Sequence, residues 1–310
     1  MAAPFVDSFV ATVRPQLEAY FGHRLEEFNG ASYTRYLQDS WHVPLAAVAV
    51  YFFVVVVFGQ WAMSKLTVTF SLREVTQLWN LSIATFSIVG AAVTVPYLQR
   101  AVAERGIVFA FCEPAQHWYH HGIVGIFAFG FMWSKFFEFI DTVFLVLRKK
   151  DVIFLHWYHH ITVLLFCWHS FAYGVGYGFW FCAMNYTVHA IMYSYYFLMG
   201  IGATRRLVRP IAPLITSMQI LQMVGGLVVL GIVMFHPALQ SASCAGGLDR
   251  AAVVDNMTYG LVMYFSYLVL FVHFFFRQYI AKGRPLEPPS RAASPNELKS
   301  RHRTAESRRS

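Results

Sequence analysis

The chain has 310 residues, of which 57% are hydrophobic and only 13% are charged, and its mean hydropathy is +0.48. Because soluble domains carry about a quarter charged residues, this composition excludes an ordinary soluble protein and predicts an all-α, polytopic membrane protein. The net charge of +8 is concentrated in residues 281–310, whose eight basic and three acidic side chains leave five positive charges. This segment is rich in Pro and Ser and is predicted to be a disordered, basic cytosolic tail. Basic charge beside membrane helices indicates topology rather than nucleic-acid binding.

Residues 1–40 precede the first apolar stretch, and charged side chains interrupt any signal-peptide core in them. We predict that they form a lumenal N-terminal segment. Residues 41–280 are the predicted transmembrane domain, with seven apolar stretches long enough to cross a bilayer as helices. In chain order, the predicted spans are 41–61, 78–98, 122–147, 152–173, 176–199, 211–235 and 257–280.

Basic residues in alternate loops predict the orientation of these spans. Cytosolic loops carry an excess of Lys and Arg, so the side that receives the basic loops and the tail is predicted to be cytosolic. The N-terminus is then lumenal and the C-terminus cytosolic. The basic residues in question are Lys65, Arg73, Arg148, Lys149, Lys150, Arg205, Arg206 and Arg209.

Two of the four cysteines, Cys112 and Cys244, fall in loops that this topology places on the lumenal side. An oxidising lumen permits a disulfide between them. Two free thiols are the alternative.

The pentapeptide at residues 156–160 reads His-Trp-Tyr-His-His and opens the fourth predicted span. Positions i, i+3 and i+4 lie on one helical face, so His156, His159 and His160 form a single patch of imidazoles. Ionisable groups inside membranes are costly and most often functional. We therefore interpret the three histidines as the centre of an active site.

The third predicted span carries Lys135, Glu138 and Asp141 within seven residues. Such groups are expected to face the bundle interior and to pair. For Lys135 and Glu138, a structural ion pair and a role in the site both stay open. Asp141 is expected to orient a histidine, as carboxylates commonly do.

The fifth predicted span carries Asn185 and His189 one helical turn apart, and an apolar and aromatic stripe continues the same face. The stripe consists of Met192, Tyr193 and Tyr196. A rise of about 1.5 Å per residue places Asp141, His159 and His189 roughly 9, 10 and 15 Å from the cytosolic ends of their helices. Three helices are therefore predicted to bring polar groups to one layer of the membrane.

Residues 117–121 repeat the pentapeptide, and two such boxes are compatible with a di-iron desaturase or hydroxylase that also uses His169, His189 or His273. Only the third predicted span separates the two boxes. Its 26 residues make a helix about 39 Å long, so the boxes are expected at opposite membrane faces. We interpret the first box as a lumenal loop element. A transporter or receptor is a third class, but it leaves the clustered histidines unexplained.

Four ordered elements resemble the fatty-acid elongases, the membrane 3-ketoacyl-CoA synthases of the endoplasmic reticulum. Residues 135–142 look like the family's KxxExxDT element, 154–160 like its histidine box and 185–196 like its NxxxHxxMYxYY element. A TxxQxxQ pattern follows, formed by Thr216, Gln219 and Gln222. The box at 117–121 is not a family element and is the main departure. The histidine box and the residues before it look closer to members that extend saturated and monounsaturated chains.

The resemblance implies an acyltransferase, a very-long-chain 3-oxoacyl-CoA synthase in the endoplasmic reticulum membrane. Acyl-CoA and malonyl-CoA would undergo a decarboxylative Claisen condensation to 3-ketoacyl-CoA, CO2 and CoA. No cofactor and no metal is expected. The expected partners are membrane lipid, the 3-ketoacyl-CoA reductase, dehydratase and enoyl-CoA reductase of the elongation cycle, and a second copy of the chain, but not nucleic acid.

The resemblance also implies roles for individual residues. His159 is expected to accept the acyl group, because histidine is a competent nucleophile, and His189 to assist CoA departure or share the nucleophilic role. His156 and His160 would orient the site with Asp141, while Asn185 would hold oxyanion charge. In a competing version, His159 is only a base. Substrate binding is assigned to Lys135, Glu138, Tyr193, Tyr196, Gln219, Gln222, Lys149 and Arg206.

Overall fold

The computed structural model describes residues 24–236 and 248–281. Within these residues the chain is helical and forms no β-strand; one isolated antiparallel bridge joins Asn29 to His121. The predicted tail beyond residue 281, most of the predicted N-terminal segment and Cys244 lie outside the described residues. The prediction of an all-α protein is confirmed for the part of the chain that the structure covers.

Seven long helices occur in the described ranges, and shorter helical turns lie between them. The segments that correspond to the predicted first three spans are α1 (His42–Lys65), α2 (Arg73–Arg105) and α3 (Gly122–Leu147). The remaining four are α4 (Phe154–Ala172), α5 (Gly178–Gly200), α6 (Gly202–Phe235) and α7 (Arg250–Ile280). The short helices are Arg24–Glu27, Gly30–Tyr33, Thr34–Asp39, Ile107–Cys112 and Ala115–His117.

Local irregularities occur in four of the long helices, including a 3-10 turn, Arg209–Ile211, in α6. The first contains a π-helical stretch, Val50–Gly59, and the last ends in a second one, Phe276–Ile280. The third is interrupted at Glu138, which lies between Gly122–Phe137 and Phe139–Leu147. Interruptions of this kind are frequent at functional sites, and Glu138 is one of the residues that the sequence singled out.

Five helices of the described chain, α1, α2, α3, α6 and α7, are long and apolar enough to cross a membrane. The helices α4 and α5 do not reach this level of hydropathy because they carry the histidines, Asn185 and many Tyr and Trp side chains. Most of the large apolar side chains that are exposed lie on the other five helices. A multi-pass membrane protein is therefore confirmed, while the number of seven spans and their orientation stay predictions.

The chain divides into two units, Met1–Phe271 and Val272–Ser310, and the packing described here lies within the first. Helix α5 packs along α2, and α4 packs against α3 and against the first part of α1. The packing of α5 on α2 depends in part on Gly90, because a Cβ atom there would lie less than 3.0 Å from the ring of Tyr186.

Helix α7 contacts α4 through hydroxyl groups. The Tyr158 hydroxyl lies 3.0 Å from Ser266 Oγ, and Thr162 Oγ1 lies 2.5 Å from the Tyr267 hydroxyl. The Tyr259 hydroxyl donates to the Thr162 carbonyl oxygen at 2.9 Å. Without water, polar side chains of membrane helices satisfy one another across the helix interface, so these contacts fix α7 beside the histidine-bearing helix.

The role of Gly90 is testable with Gly90→Leu. We expect a loss of about 1–3 kcal/mol of unfolding free energy, as for other overpacked interiors, because the new side chain must displace the Tyr186 ring. Thermal unfolding in detergent measures this loss of stability. Gly231→Leu is the matched control, since a Cβ at this helical glycine meets nothing within 4 Å. Equal unfolding temperatures for the two variants would contradict the assigned packing.

Candidate active site

A buried ion pair lies at the interruption of α3. Lys135 Nζ is 2.6 Å from Glu138 Oε1, and the two side chains are only 1% and 2% exposed. Lys135 also donates to Asn185 Oδ1 of α5 at 2.9 Å, and its ammonium group lies 4.3 Å from the centroid of the Phe131 ring. Charges are tolerated in such surroundings when they are paired and hydrogen-bonded. The expected pairing of Lys135 with Glu138 is thus present, and it ties α3 to α5.

The Glu138 carboxylate also faces His189. Its Oε1 atom lies 3.7 Å from His189 Nδ1, which is beyond hydrogen-bonding distance. Among the described residues, Oε2 has no hydrogen-bond partner although it is buried. The carboxylate therefore has acceptor capacity left for a proton on His189 or for a group of a bound substrate.

Asp141 connects α2, α3 and α5. Its Oδ1 accepts from Trp79 Nε1 at 2.7 Å and its Oδ2 from the Tyr193 hydroxyl at 2.5 Å. These partners differ from the histidine that the sequence suggested. The Tyr193 ring lies 5.4 Å from the ring of His189 between centroids, so Tyr193 contacts both Asp141 and this histidine.

The three histidines of α4 lie on one face, as their spacing predicts. The His156 and His160 ring centroids are 4.6 Å apart, and those of His159 and His160 are 5.4 Å apart. His156 Nε2 lies 2.9 Å from Thr142 Oγ1, which in turn lies 2.8 Å from the Tyr51 hydroxyl. This chain of contacts from α1 through α3 holds one ring nitrogen of His156. Neither Thr142 nor Tyr51 stood out in the sequence as an orienting residue.

His159 lies between His160 and Tyr267 of α7. Its ring centroid lies 4.9 Å from that of Tyr267, whose hydroxyl donates to the His159 carbonyl oxygen at 3.1 Å. Glu138 and His189 are within range of an electrostatic interaction with its ring. Side chains from α3, α4 and α5 thus meet in one region, and α7 supplies an aromatic wall that the sequence did not indicate.

The other candidate residues lie outside this cluster. Tyr196 is 43% exposed and packs against Tyr193 and Tyr195. Gln219 contacts Met192 at 3.2 Å between Nε2 and Sδ, and Gln222 is buried in α6. The remaining two lie at helix ends: Lys149 donates to the Leu66 carbonyl oxygen and Arg206 is exposed.

An apolar cavity of about 30 Å³ lies between α3, α4 and α5. It begins one helical turn from the ion-pair network, at Met132 and Cys182, and extends away from the histidines. Cys167 and Cys182 are free and buried, whereas Cys112 is disulfide-bonded; its pairing with Cys244 stays a prediction. The cavity is lined by Tyr119, Ala128, Phe131, Met132, Phe166, Cys167, Ser170, Phe171, Gly178, Phe181 and Cys182.

The second pentapeptide lies at the opposite end of α4 from the first. The His120 ring stacks on Phe171 at 4.1 Å between centroids, and Phe171 is 15 residues from His156, or about 22 Å along a helix. In the described ranges, no group of three or more His, Cys, Asp and Glu side chains is arranged to hold a metal ion. The two boxes therefore form no common di-iron site.

The ion pair is testable with Lys135→Met and Glu138→Gln. Each single variant is expected to lose about 3–5 kcal/mol of stability, because it leaves one buried polar partner uncompensated. The double variant Lys135→Met/Glu138→Gln is expected to recover a large part of that loss. Thermal unfolding in detergent measures all three. Single variants that unfold at the wild-type temperature would show that the pair is not buried in the folded protein.

Burial lowers the pKa of His120 from 6.5 to about 3. Between these values the unfolded chain binds a proton that the folded chain does not, so stability falls as the pH decreases below about 6.5. We expect a lower unfolding temperature at pH 5 than at pH 7.5. In His120→Phe, which keeps an aromatic ring against Phe171, the pH dependence should weaken. If the unfolding temperature of the variant depends on pH as strongly as that of the wild type, groups other than His120 cause the dependence.

Comparison with known proteins identifies the family. The model of the GNS1/SUR4 family, ELO, matches residues 36–286. "Fatty acid elongase 3" of Trypanosoma cruzi is 39% identical, over 82% of this chain and 90% of that protein. "Very long chain fatty acid elongase 6" is 39% identical in Gallus gallus and in Homo sapiens, over 83% and 84% of this chain and 92% of each relative. A family match over most of the chain and relatives of this similarity show that the protein belongs to the GNS1/SUR4 (ELO) family.

Proposed function

We propose that this condensing enzyme of fatty-acid elongation joins a long-chain acyl-CoA to malonyl-CoA through an acyl-histidine intermediate, as a very-long-chain 3-oxoacyl-CoA synthase. The observation that carries the proposal is the cluster of imidazoles from α4 and α5 beside the buried Lys135–Glu138 pair. The two free cysteines are buried and line the apolar cavity, so a histidine is the better candidate for the nucleophile. The desaturase alternative finds no support among the relatives, which are named as elongases.

The proposed reaction has two steps. A nitrogen of His159 attacks the thioester carbon of acyl-CoA, the bond to sulfur breaks, and CoA leaves with a proton. Malonyl-CoA then loses CO2, and the resulting C2 carbanion attacks the acyl carbon and releases the imidazole. The product is 3-ketoacyl-CoA, two carbons longer than the acyl substrate.

The neighbours of His159 support these steps. We assign to His189 the proton that leaves with the thiolate; its Nδ1 lies 3.7 Å from Glu138 Oε1. Lys135 donates a hydrogen bond to Asn185 Oδ1. The side-chain N–H groups of Asn185 can therefore stabilise the negative charge that develops on the thioester oxygen. His156, held through Thr142, and His160 keep the nucleophile oriented.

The cavity beyond Met132 is the proposed place for the acyl tail. Its walls are apolar and aromatic, which suits a hydrocarbon chain. Coenzyme A is a large anion and is expected at the basic loops, with Lys149 and Arg206 among its contacts. Tyr193, Tyr196, Gln219 and Gln222 complete the proposed substrate-binding residues.

We further propose the setting of the reaction. All seven helices cross the endoplasmic reticulum membrane, with the N-terminus lumenal and the basic tail cytosolic. The substrates are saturated or monounsaturated acyl-CoAs, no metal cofactor takes part, and the product passes to the reductases and dehydratase of the elongation cycle. Two copies of the chain form a homodimer.

The activity is tested with purified protein, acyl-CoAs of graded length and carbon-labelled malonyl-CoA. We expect labelled 3-ketoacyl-CoA and release of CO2 with at least one acyl length, and loss of both in His159→Ala. Protein that binds acyl-CoA but never consumes malonyl-CoA would exclude the proposed condensation.

The intermediate is tested by incubating the protein with acyl-CoA alone and measuring its intact mass. A single acyl adduct is expected on the wild-type protein and on His117→Ala, an exposed histidine far from the cluster, but not on His159→Ala. Turnover without any adduct would favour the competing version, in which His159 is a base and both substrates bind together.

A further inference from the structure

We infer that Tyr51 of α1 is a positioning residue for the histidine box. Through the Thr142 hydroxyl, it keeps the Nε2 atom of His156 engaged as a hydrogen-bond acceptor, so that this nitrogen does not compete with His159 for the acyl group. The inference rests on the proposed function, because it takes an acyl-histidine as the intermediate. It also gives α1 a part in the reaction, although none of the site residues that the sequence indicated lies in this helix.

Helix α1 exposes most of its side chains, but at one level it contacts the histidine box. Tyr51 is only 1% exposed, and its ring stacks on Phe139 at 4.0 Å between centroids. The same ring lies 6.4 Å from that of His160. The next side chain, Phe52, packs against Trp157 at 5.1 Å between centroids. This level of α1 therefore forms one wall of the box.

The local geometry of α1 supports this contact. Tyr51 lies at the start of the π-helical stretch Val50–Gly59, in which hydrogen bonds join residues five positions apart. The next buried side chain is Val56, also five positions after Tyr51, so the wider turn keeps both on the side that faces the bundle. At the end of the stretch, a Cβ atom on Gly59 would lie 3.1 Å from Val146 Cγ1. Helix α1 thus lies close to α3 at both ends of the stretch.

The hydrogen bonds between Tyr51 and His156 have a defined direction. The Tyr51 hydroxyl lies 2.8 Å from Thr142 Oγ1, which lies 2.9 Å from His156 Nε2. Among the described residues, Thr142 is the only hydrogen-bond partner of the buried Tyr51 hydroxyl, so the phenol proton points to Thr142 Oγ1. The single Thr142 proton then goes to His156 Nε2. The reverse direction would leave the Tyr51 proton buried without an acceptor.

The Thr142 proton is available for this bond. Several other threonines within helices donate to the carbonyl oxygen four residues earlier, as Thr94 does to Gly90 at 2.7 Å. In the described part of the chain, Thr142 makes no such bond. The residue four positions before it is Glu138, at which α3 is interrupted. The interruption therefore coincides with a hydroxyl that is left to donate to His156.

This direction decides which imidazole is free to react. An imidazole nitrogen attacks a thioester with its lone pair, and the lone pair of His156 Nε2 is held by the Thr142 proton. The ring proton of His156 is then on Nδ1, as the hydrogen-bond network assigns it. The contacts of His159 are of another kind: its ring packs against His160 and Tyr267, and its carbonyl oxygen accepts from Tyr267. The nitrogens of His159 therefore stay available.

The competition is tested in the His159→Ala background, where the proposed function predicts no acyl adduct after incubation with acyl-CoA alone. Adding Thr142→Val, which keeps the shape but removes the hydroxyl, releases His156 Nε2. We expect the adduct measured by intact mass to rise at least about tenfold, since a free imidazole is a competent nucleophile, and to disappear again when His156→Gln is added. Thr142→Ser, which keeps the hydroxyl, should give no rise. A folded His159→Ala/Thr142→Val protein that stays unacylated would overturn the inference.

The role of Tyr51 is tested without any substrate, by NMR of protein that carries ring-15N histidine. The His156 signals are assigned by their absence in His156→Gln. In the wild type we expect an unprotonated Nε2 and a protonated Nδ1; in Tyr51→Phe, which loses only the hydroxyl, we expect signals of both tautomers. Tyr97→Phe is the matched control, since it removes a tyrosine hydroxyl that donates to the Trp118 carbonyl oxygen, and it should leave the His156 signals unchanged.

The NMR outcomes separate this inference from the proposed function. A protonated Nε2 in the wild type, or His156 signals that are the same in Tyr51→Phe as in the wild type, would overturn the inference and leave the condensation reaction intact. Wild-type protein with the expected tautomer that forms no acyl adduct would instead overturn the acyl-histidine intermediate and, with it, the competition between the two histidines.

Discussion

The arrangement of the site depends on the ion pair between Lys135 and Glu138. Two charges among apolar helices are stable only while they face each other, so this contact fixes the rotation of α3 about its axis. The same ammonium group holds the amide of Asn185 on α5, and the same carboxylate faces His189. One interaction therefore sets the relative positions of the helix that carries the network and the helix that carries the second histidine element. Helix α3 is interrupted at Glu138, where these contacts meet.

The sequence was sufficient for the parts of the structure that depend on spacing within one helix. The imidazoles at positions i, i+3 and i+4 share a face, Lys135 and Glu138 of α3 pair, and the chain belongs to the family that the four motifs indicated. Contacts between helices were harder to predict from the sequence. Asp141 binds Trp79 and Tyr193 instead of a histidine, because its partners depend on how three helices are rotated against one another. Spacing along one chain segment does not define such rotations.

Contacts made by long side chains also could not be predicted from the sequence. Tyr267 reaches the histidine element from α7, and Tyr51 reaches it through Thr142, although neither residue is close to it in the chain. Hydroxyl groups within apolar stretches have many potential partners, and the sequence does not rank them. The pentapeptide 117–121 is an element for which the sequence suggested a function that its surroundings do not support. Its composition suggested metal chemistry, but its position at the far end of α4 gives it a packing role, since the same residue types serve either purpose according to their neighbours.

The two free thiols have a practical consequence. Cys167 and Cys182 line the cavity and are buried, so a thiol reagent must enter the helix bundle to reach them. An acyl chain in the place proposed for it would compete with the reagent for this space. The protein therefore carries an internal reporter of cavity occupancy, readable by labelling kinetics without adding any probe to the sequence.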